Sequence, residues 1–180
     1  VDLASAVQVM SAALGSPYDV TGAAYDPDTR SAHIRIEGFA GSVAYRAGRL
    51  VSKLAGFGVA EQVGESAVLW RSIRDVAAFE GREGDVWRIS VKPSDAVTLA
   101  DQLQAEALQF DWGGGLIWAL APVGVDIRAR MRVPGHATLV RGSAEVRRRF
   151  QPQPAPLAAI SAGLRAKFDP RGILNPGLMG

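Results

Sequence analysis

The chain has 180 residues, of which 48% are apolar and 21% are charged, enough for one core-forming domain or two small fused subdomains. Its net charge of +2 is too small to indicate a nucleic-acid partner. It has no cysteine and two histidines, His33 and His136, which excludes disulfides, thiolate metal sites and a histidine-rich metal centre.

No apolar run approaches the roughly 18 residues that a membrane helix needs, and no charged leader precedes an apolar stretch. We therefore expect a cytoplasmic protein with neither a transmembrane segment nor a signal peptide. The chain starts at Val1 rather than at a methionine, which suggests a fragment whose N-terminal partner has been removed.

The first 80 residues predict helices around a β-hairpin. In chain order we predict helix 3–14, strands 18–24 and 32–37, helix 43–54, strand 59–62 and helix 69–77. The Asp26-Pro27 dipeptide has the chemistry of the hairpin turn. The polar, glycine-containing stretch 80–85 then marks the best internal boundary, where we expect one subdomain to end.

After this boundary the predicted elements follow a regular order. They are strand 86–91, helix 94–106, strands 107–112 and 116–121, helix 125–131 and strand 137–141. This β-α-β-β-α-β order is that of ferredoxin-like folds, an antiparallel sheet with helices on one face. The sequence thus predicts an α+β ferredoxin-like plait of about seven strands and two fused subdomains over residues 1–150.

Residues 151–180 predict a connector, a helix and a shaped tail. Residues 143–150 read as a basic helical turn, and the alternate prolines that follow favour an extended connector. Apolar residues from 157 to 168 are spaced as in a helix. In the closing FDPRGILNPGLMG, two turn dipeptides flank Ile173 and Leu174, as in a segment docked on another surface.

The glycine-rich stretch 111–115 is interpreted as a tight hairpin turn rather than a phosphate loop, because no Lys-Ser or Lys-Thr follows it. Two readings stay open for Trp112 and Trp118, which either pack in the core or present a flat aromatic surface beside the turn. Arg88 follows Trp87 on a strand and therefore points to the opposite face from it, where basic residues are usually solvated.

Arg71 and Arg74 lie one helical turn apart, so their guanidinium groups share one surface and can hold a carboxylate. The alternative is a solvated helix face on which Asp75 and Glu65 are their partners. His136 follows a Pro-Gly turn at the start of a strand, where its imidazole can act as an acid or base or make a structural hydrogen bond.

Several stretches resemble a known family. The segment FDPRGILNPG, residues 168–177, is similar to the C-terminal signature of FAD-linked oxidases of the vanillyl-alcohol oxidase type. Together with it, LGSPYDVTGAA, IRDV, DWGGGLIW, HATLVR and FQPQPAPL resemble the FAD-binding E subunits of glycolate oxidases over nearly the whole chain.

The resemblance implies that residues 1–150 are a cap over a flavin and that residues 151–180 return to an N-terminal FAD-binding domain outside this chain. That domain would hold most of the FAD, and Asn175 and Gly177 would lie nearest to it. We accordingly expect residues 169–180 to be mobile, and the chain to be inactive, without that domain.

The family transfers hydride from a short 2-hydroxy acid to the flavin, and its partners are the D subunit and an iron–sulfur subunit. These partners also imply a bacterial complex that can sit peripherally at the inner membrane. Relatives have an arginine after a tryptophan in the cap that meets the substrate carboxylate, and Trp70-Arg71-Ser72-Ile73-Arg74 is similar, with Arg74 at that place.

The relatives also have a histidine-rich metal motif, of which this sequence retains only Gly135-His136, so the resemblance carries over no metal site. This departure leaves two functions open. The chain is either the cap of a catalytic 2-hydroxyacid oxidoreductase, with Arg74 and His136 as candidate catalytic residues, or a structural or electron-relaying module that binds the other subunits. A free-standing ferredoxin-like regulator would leave the docked tail unexplained.

Overall fold

The computed structural model describes residues 1–142 and 149–176. In these ranges the helices are α1 (Leu3–Leu14), α2 (Ala40–Leu54), α3 (Ala67–Asp75), α4 (Ala96–Leu103) and α5 (Ala155–Phe168). The strands are β1 (Val20–Asp26), β2 (Ser31–Ile36), β3 (Asp85–Val91), β4 (Ala107–Asp111), β5 (Leu116–Ala121) and β6 (Gly135–Arg141). Most of the predicted basic turn at 143–150 lies outside the described residues.

The six strands form one antiparallel sheet in the order β2-β1-β4-β5-β3-β6. The four strands of the second half have the order β4-β5-β3-β6, which is that of the split β-α-β arrangement predicted from the sequence. The α+β class is therefore confirmed. Tyr25 pairs with Phe110 where β1 meets β4, so the hairpin of the first half extends the same sheet.

The main core lies on one face of this sheet. Alternate residues of β3 and β5, among them Trp87, Ile89 and Ile117, point into it and are fully buried. Met10 of α1 and Leu99 of α4 pack on this core from the helices that cover the sheet, and both are likewise fully buried. Both halves of the chain contribute to this core. The predicted boundary at 80–85, and the division between 1–150 and 151–180, stay predictions.

The structure corrects the predicted strand count. Six strands are found among the described residues rather than about seven, because residues 59–62 form no strand. Val59 is 97% exposed, so this stretch has no apolar face to bury and no neighbouring strand to complete its backbone hydrogen bonds.

The prediction that the helices pack on one face only is also wrong, because α3 covers part of the second face. The buried Gln109 of β4 donates from Nε2 to the backbone oxygen of Ile73 at 2.7 Å. The ring of Trp70 lies over Gly22, where an added Cβ would come within 3.2 Å of it. Phe79, just after α3, packs on Val86 and Leu120 of the same face and helps to keep them from water.

Two other predicted helices are shorter in the structure. Helix 125–131 is a single 3₁₀ turn, Ile127–Arg130, in which the Asp126 carboxylate accepts from the backbone N–H of Arg128 at 3.1 Å. Helix 94–106 begins as a 3₁₀ turn, and α4 ends at Leu103 because Gln104 adopts a left-handed conformation with φ 47°. None of the described helices has the length and apolar character needed to cross a membrane.

Candidate functional site: an open sheet face and an exposed helix

Beyond the part covered by α3, the second face of the sheet carries polar side chains. Arg88 of β3 pairs with Trp118 of β5 on one side and Thr138 of β6 on the other. Ser90, two residues further along β3, pairs with His136 of β6. Directly paired residues present their side chains on the same face. We call Arg88, Ser90, Thr138 and His136 the open face, because each is partly or fully exposed, whereas Trp118 packs at the edge of the apolar cluster around Phe79.

Trp112 follows β4 and leans against Arg88. Its backbone is left-handed, with φ 52°, an uncommon conformation for an aromatic residue, and its N–H donates to the Asp111 carboxylate at 2.7 Å. The side chain is 55% exposed, and the Arg88 guanidinium carbon lies 5.0 Å from its ring centroid, within cation–π range. Burial raises the pKa of Asp111, against the opposing effect of the Trp112 N–H.

The glycine turn after Trp112 is closed against α1. Gly113 and Gly114 have positive φ values of 67° and 100°. A Cβ on Gly113 would lie 2.6 Å from Leu14 Cδ1, and one on Gly114 would lie 3.3 Å from Val7 Cγ2. The turn joins β4 to β5 as predicted, and this packing leaves no open cradle for a phosphate group.

Arg74 lies at the solvent-facing end of α3. Its Nε and Nη2 donate to the two carboxylate oxygens of Asp75 at 2.7 and 2.9 Å, and both side chains are largely exposed. The guanidinium lowers the pKa of Asp75 mainly through this hydrogen bonding. Asp75, one of the two partners that the sequence predicts for Arg74 in place of a substrate carboxylate, is therefore bound to it.

The structure does not place Arg74 beside His136. The helix that carries Arg74 contacts β4 through Gln109, whereas His136 is on the edge strand β6. Three strand spacings of about 4.8 Å separate β4 from β6, which amounts to about 14 Å. Neighbouring strands instead bring His136 next to Ser90, and close to Arg88.

The tail folds around one carboxylate. Asp169 accepts from the backbone N–H groups of Ile173 at 2.9 Å and Leu174 at 2.8 Å, and these bonds hold the pKa of its carboxyl below the ordinary value of 3.8. Asn175 has a positive φ of 48°, and Gly177 lies outside the described residues. The sequence predicts a turn at Asp169-Pro170 but not that the Asp169 carboxylate accepts from amides further along the tail, which is a known role of an Asp that opens a turn.

Helix α5 has no buried residue. Its large apolar side chains recur at spacings of three and four residues, so they share one side of the helix. We call them the α5 stripe: Leu157, Ile160, Leu164 and Phe168, exposed by 54%, 62%, 53% and 81%. Ile173 and Leu174 of the tail are each 62% exposed. Contiguous apolar surface of this kind marks a site for another macromolecular surface.

A cavity of about 120 Å³ lies between α3 and β1, with His33, Ser72 and Gln109 in its lining. Burial lowers the pKa of His33, and nearby Asp26 acts in the opposite direction. The volume is well below the roughly 300–1,000 Å³ of small-molecule pockets. Neither this cavity nor the closed glycine turn has room for a dinucleotide.

The fold and the exposed helix define an α+β domain with an apolar surface suited to a second protein surface. Over 149 residues the chain is 36% identical to glycolate oxidase subunit GlcE of Escherichia coli (strain K12), which confirms the resemblance inferred from the sequence motifs. The match covers 81% of this chain and 38% of GlcE, so the chain spans well under half the length of that relative. No family model matches the chain, and no solved structure matches it significantly.

Proposed function

We propose that this chain is the cap portion of a GlcE-like, FAD-dependent 2-hydroxyacid oxidoreductase subunit, with glycolate as its substrate. In this proposal a domain outside the chain holds the FAD, and the cap covers the flavin and helps to orient a short 2-hydroxy acid. The observation that carries the proposal is the exposed α5 stripe in a chain that spans 38% of a glycolate oxidase subunit.

The FAD-binding domain of the same protein is the proposed occupant of the α5 stripe and the tail. The stripe runs along the last helix and leads directly into the turn built around Asp169, so stripe and turn form one continuous docking segment. Basic residues Arg165, Lys167 and Arg171 lie on the same segment and can pair with acidic groups of that domain. Asn175 and Gly177 are the positions that we place nearest to it.

Within the cap, Arg74 is the proposed contact for the substrate carboxylate and His136 the proposed acid or base. The exposed pair that Arg74 makes with Asp75 does not prevent this role, because such pairs are worth only about 0–1 kcal/mol. The proposed partners are the D subunit and the iron–sulfur subunit of a bacterial glycolate oxidase complex, located in the cytoplasm or peripherally at the inner membrane.

A structural or electron-relaying module is the second candidate function. It is favoured by the existing Arg74–Asp75 pair and by the separation of Arg74 from His136 across the sheet. In that case the cap would contribute subunit contacts rather than groups that meet the substrate.

Replacing Arg74 with alanine in the full-length complex distinguishes the two functions. As the catalytic cap, the Arg74→Ala protein should show a KM for glycolate raised roughly tenfold or more, since a charge-assisted hydrogen bond is lost. As a structural module it should show an unchanged KM. Lys53→Ala is the control, because Lys53 is an exposed basic residue on a different helix, α2.

A further inference from the structure

We propose that Arg88, held against Trp112 on the open face, binds the carboxylate of a small hydroxy acid, with the hydroxyls of Ser90 and Thr138 beside it. The identity of the acid as a 2-hydroxy acid rests on the proposed function, within which Arg88 is the alternative to Arg74 for the single carboxylate of that acid. The anion site itself is argued from the geometry around Arg88.

Arginines stack on tryptophan rings at three places in the described ranges. Arg35 lies 5.7 Å from the Trp70 centroid and has a carboxylate partner at 2.7 Å, namely Glu37. Arg128 lies over Trp87, and Asp126 is its partner at 2.8 Å.

Arg88 differs from the other two. It stacks at 5.0 Å on Trp112, and within residues 1–142 and 149–176 no carboxylate lies in ion-pair distance of it. Asp111, next to the ring, uses one of its oxygens to accept from the Trp112 N–H. The carboxylate that completes the other two arrangements is absent here, so we assign that place to a ligand.

Stacking leaves the binding edge of a guanidinium free. The Arg88 guanidinium carbon lies 5.0 Å from the Trp112 ring centroid. An arginine stacked on an aromatic face keeps its N–H groups in the guanidinium plane, where they remain free to donate. A carboxylate is planar and accepts two parallel N–H bonds from such an edge. Trp112 therefore orients Arg88 without using its hydrogen-bonding capacity, and the partial exposure of Arg88 leaves room for an incoming anion.

The neighbours of Arg88 select a ligand that carries a hydroxyl. Thr138 is directly opposite on β6, at a Cβ–Cβ separation of about 5 Å, and Ser90 is two residues along the same strand, about 7 Å away. Both hydroxyls can donate and accept, which suits a hydroxyl one carbon away from a bound carboxylate. His136 pairs with Ser90 and completes the donor-rich patch.

The first test uses the 180-residue chain labelled with ¹⁵N and follows the indole N–H signals of its four tryptophans during titration with glycolate at constant ionic strength. We expect the Trp112 signal to shift as glycolate is added and then to reach a plateau. The shift should be lost in Arg88→Gln and should be smaller in Arg88→Lys. Arg35→Gln is the matched control, since it removes a stacked arginine that already has a carboxylate partner. Backbone amide spectra of each variant verify that it is folded.

Two outcomes would overturn the proposal. One is a Trp112 signal in the unmodified chain that does not respond to glycolate. The other is a response that survives in a folded Arg88→Gln variant. Titration with inorganic phosphate separates the ligand classes, because a stronger response to phosphate than to glycolate would reject the carboxylate assignment.

The second test uses the full-length protein with its partner subunits. Arg88→Gln should raise the KM for glycolate roughly 10- to 150-fold, the range for one hydrogen bond to a charged group, while the amount of bound FAD stays unchanged. A normal KM in this variant would reject the role of Arg88 and leave the proposed function standing. If the unmodified complex does not react with glycolate, the proposed function is rejected. The titration of the chain would still show whether Arg88 binds an anion.

Discussion

The most informative perturbation is the replacement of two apolar residues on the α5 stripe by glutamine, Ile160→Gln with Leu164→Gln. Both side chains are more than half exposed in this chain, at 62% and 53%. Glutamine propagates a helix about as well as leucine, so α5 itself should persist. In the chain alone, the free energy of unfolding should therefore change by less than about 0.5 kcal/mol.

The expected effect in the full-length protein is larger. Complete burial of a leucine or isoleucine side chain is worth about 1.5–3 kcal/mol, and roughly half of each remains to be buried on docking. The two substitutions together should weaken docking by about 2 kcal/mol, close to a 30-fold change in the docking equilibrium. Ala162→Gln, an exposed change away from the stripe, should leave docking unchanged.

Urea unfolding of the chain measures the first expectation. Retained FAD, together with proteolysis of the connector that precedes α5 at 151–154, measures the second in the full-length protein. A double variant that destabilises the chain by itself would mean that the stripe already packs on the cap. A full-length double variant with normal flavin content and normal protease resistance would mean that nothing docks on the stripe. Either result would refute the reasoning.

Two further predictions concern backbone positions. Gly84 has φ +124°, and a Cβ there would lie 2.7 Å from a backbone oxygen of β5, so Gly84→Ala should destabilise the chain by about 1–3 kcal/mol. Gly48→Ala, in the exposed interior of α2 with no atom nearby, should instead stabilise it by up to about 1 kcal/mol, and urea midpoints compare the two. The lowered pKa of Asp169 means that its turn is favoured above pH 3.8 and lost as the pH falls through the folded-state pKa. The amide signals of Ile173 and Leu174 should follow this transition, and Asp169→Asn should remove it.

The elements that could be predicted from the sequence are those with a strong local pattern. Helix 3–14 was predicted to its last residue, because its apolar spacing ends at a glycine that the structure places at the C-cap. The apolar strands of the second half were located to within two residues for the same reason. The strand predicted at 59–62 does not form, since local strand propensity has no effect without a neighbouring strand.

Long-range geometry could not be predicted from the sequence. The cover that α3 gives to the second face depends on Gln109 and Gly22, two strand residues that are more than 30 residues away from their contacts on α3 in the sequence. The contact of Arg88 with Trp112 depends on strand register and on the left-handed turn at Trp112. On the sequence alone Arg88 was interpreted as a solvated basic residue. Arg74 was chosen as a candidate because the segment around it resembles a segment of family members.

The flavin spectrum of the full-length protein, recorded before and after glycolate is added, first alone and then with the partner subunits, tests most directly whether this chain is the cap of a glycolate oxidoreductase. We predict bound FAD whose absorbance is bleached by glycolate, at least in the complex. A protein that contains no flavin in either form, or a flavin that glycolate leaves unbleached in both, would contradict the assignment of this chain as the cap of a glycolate oxidoreductase.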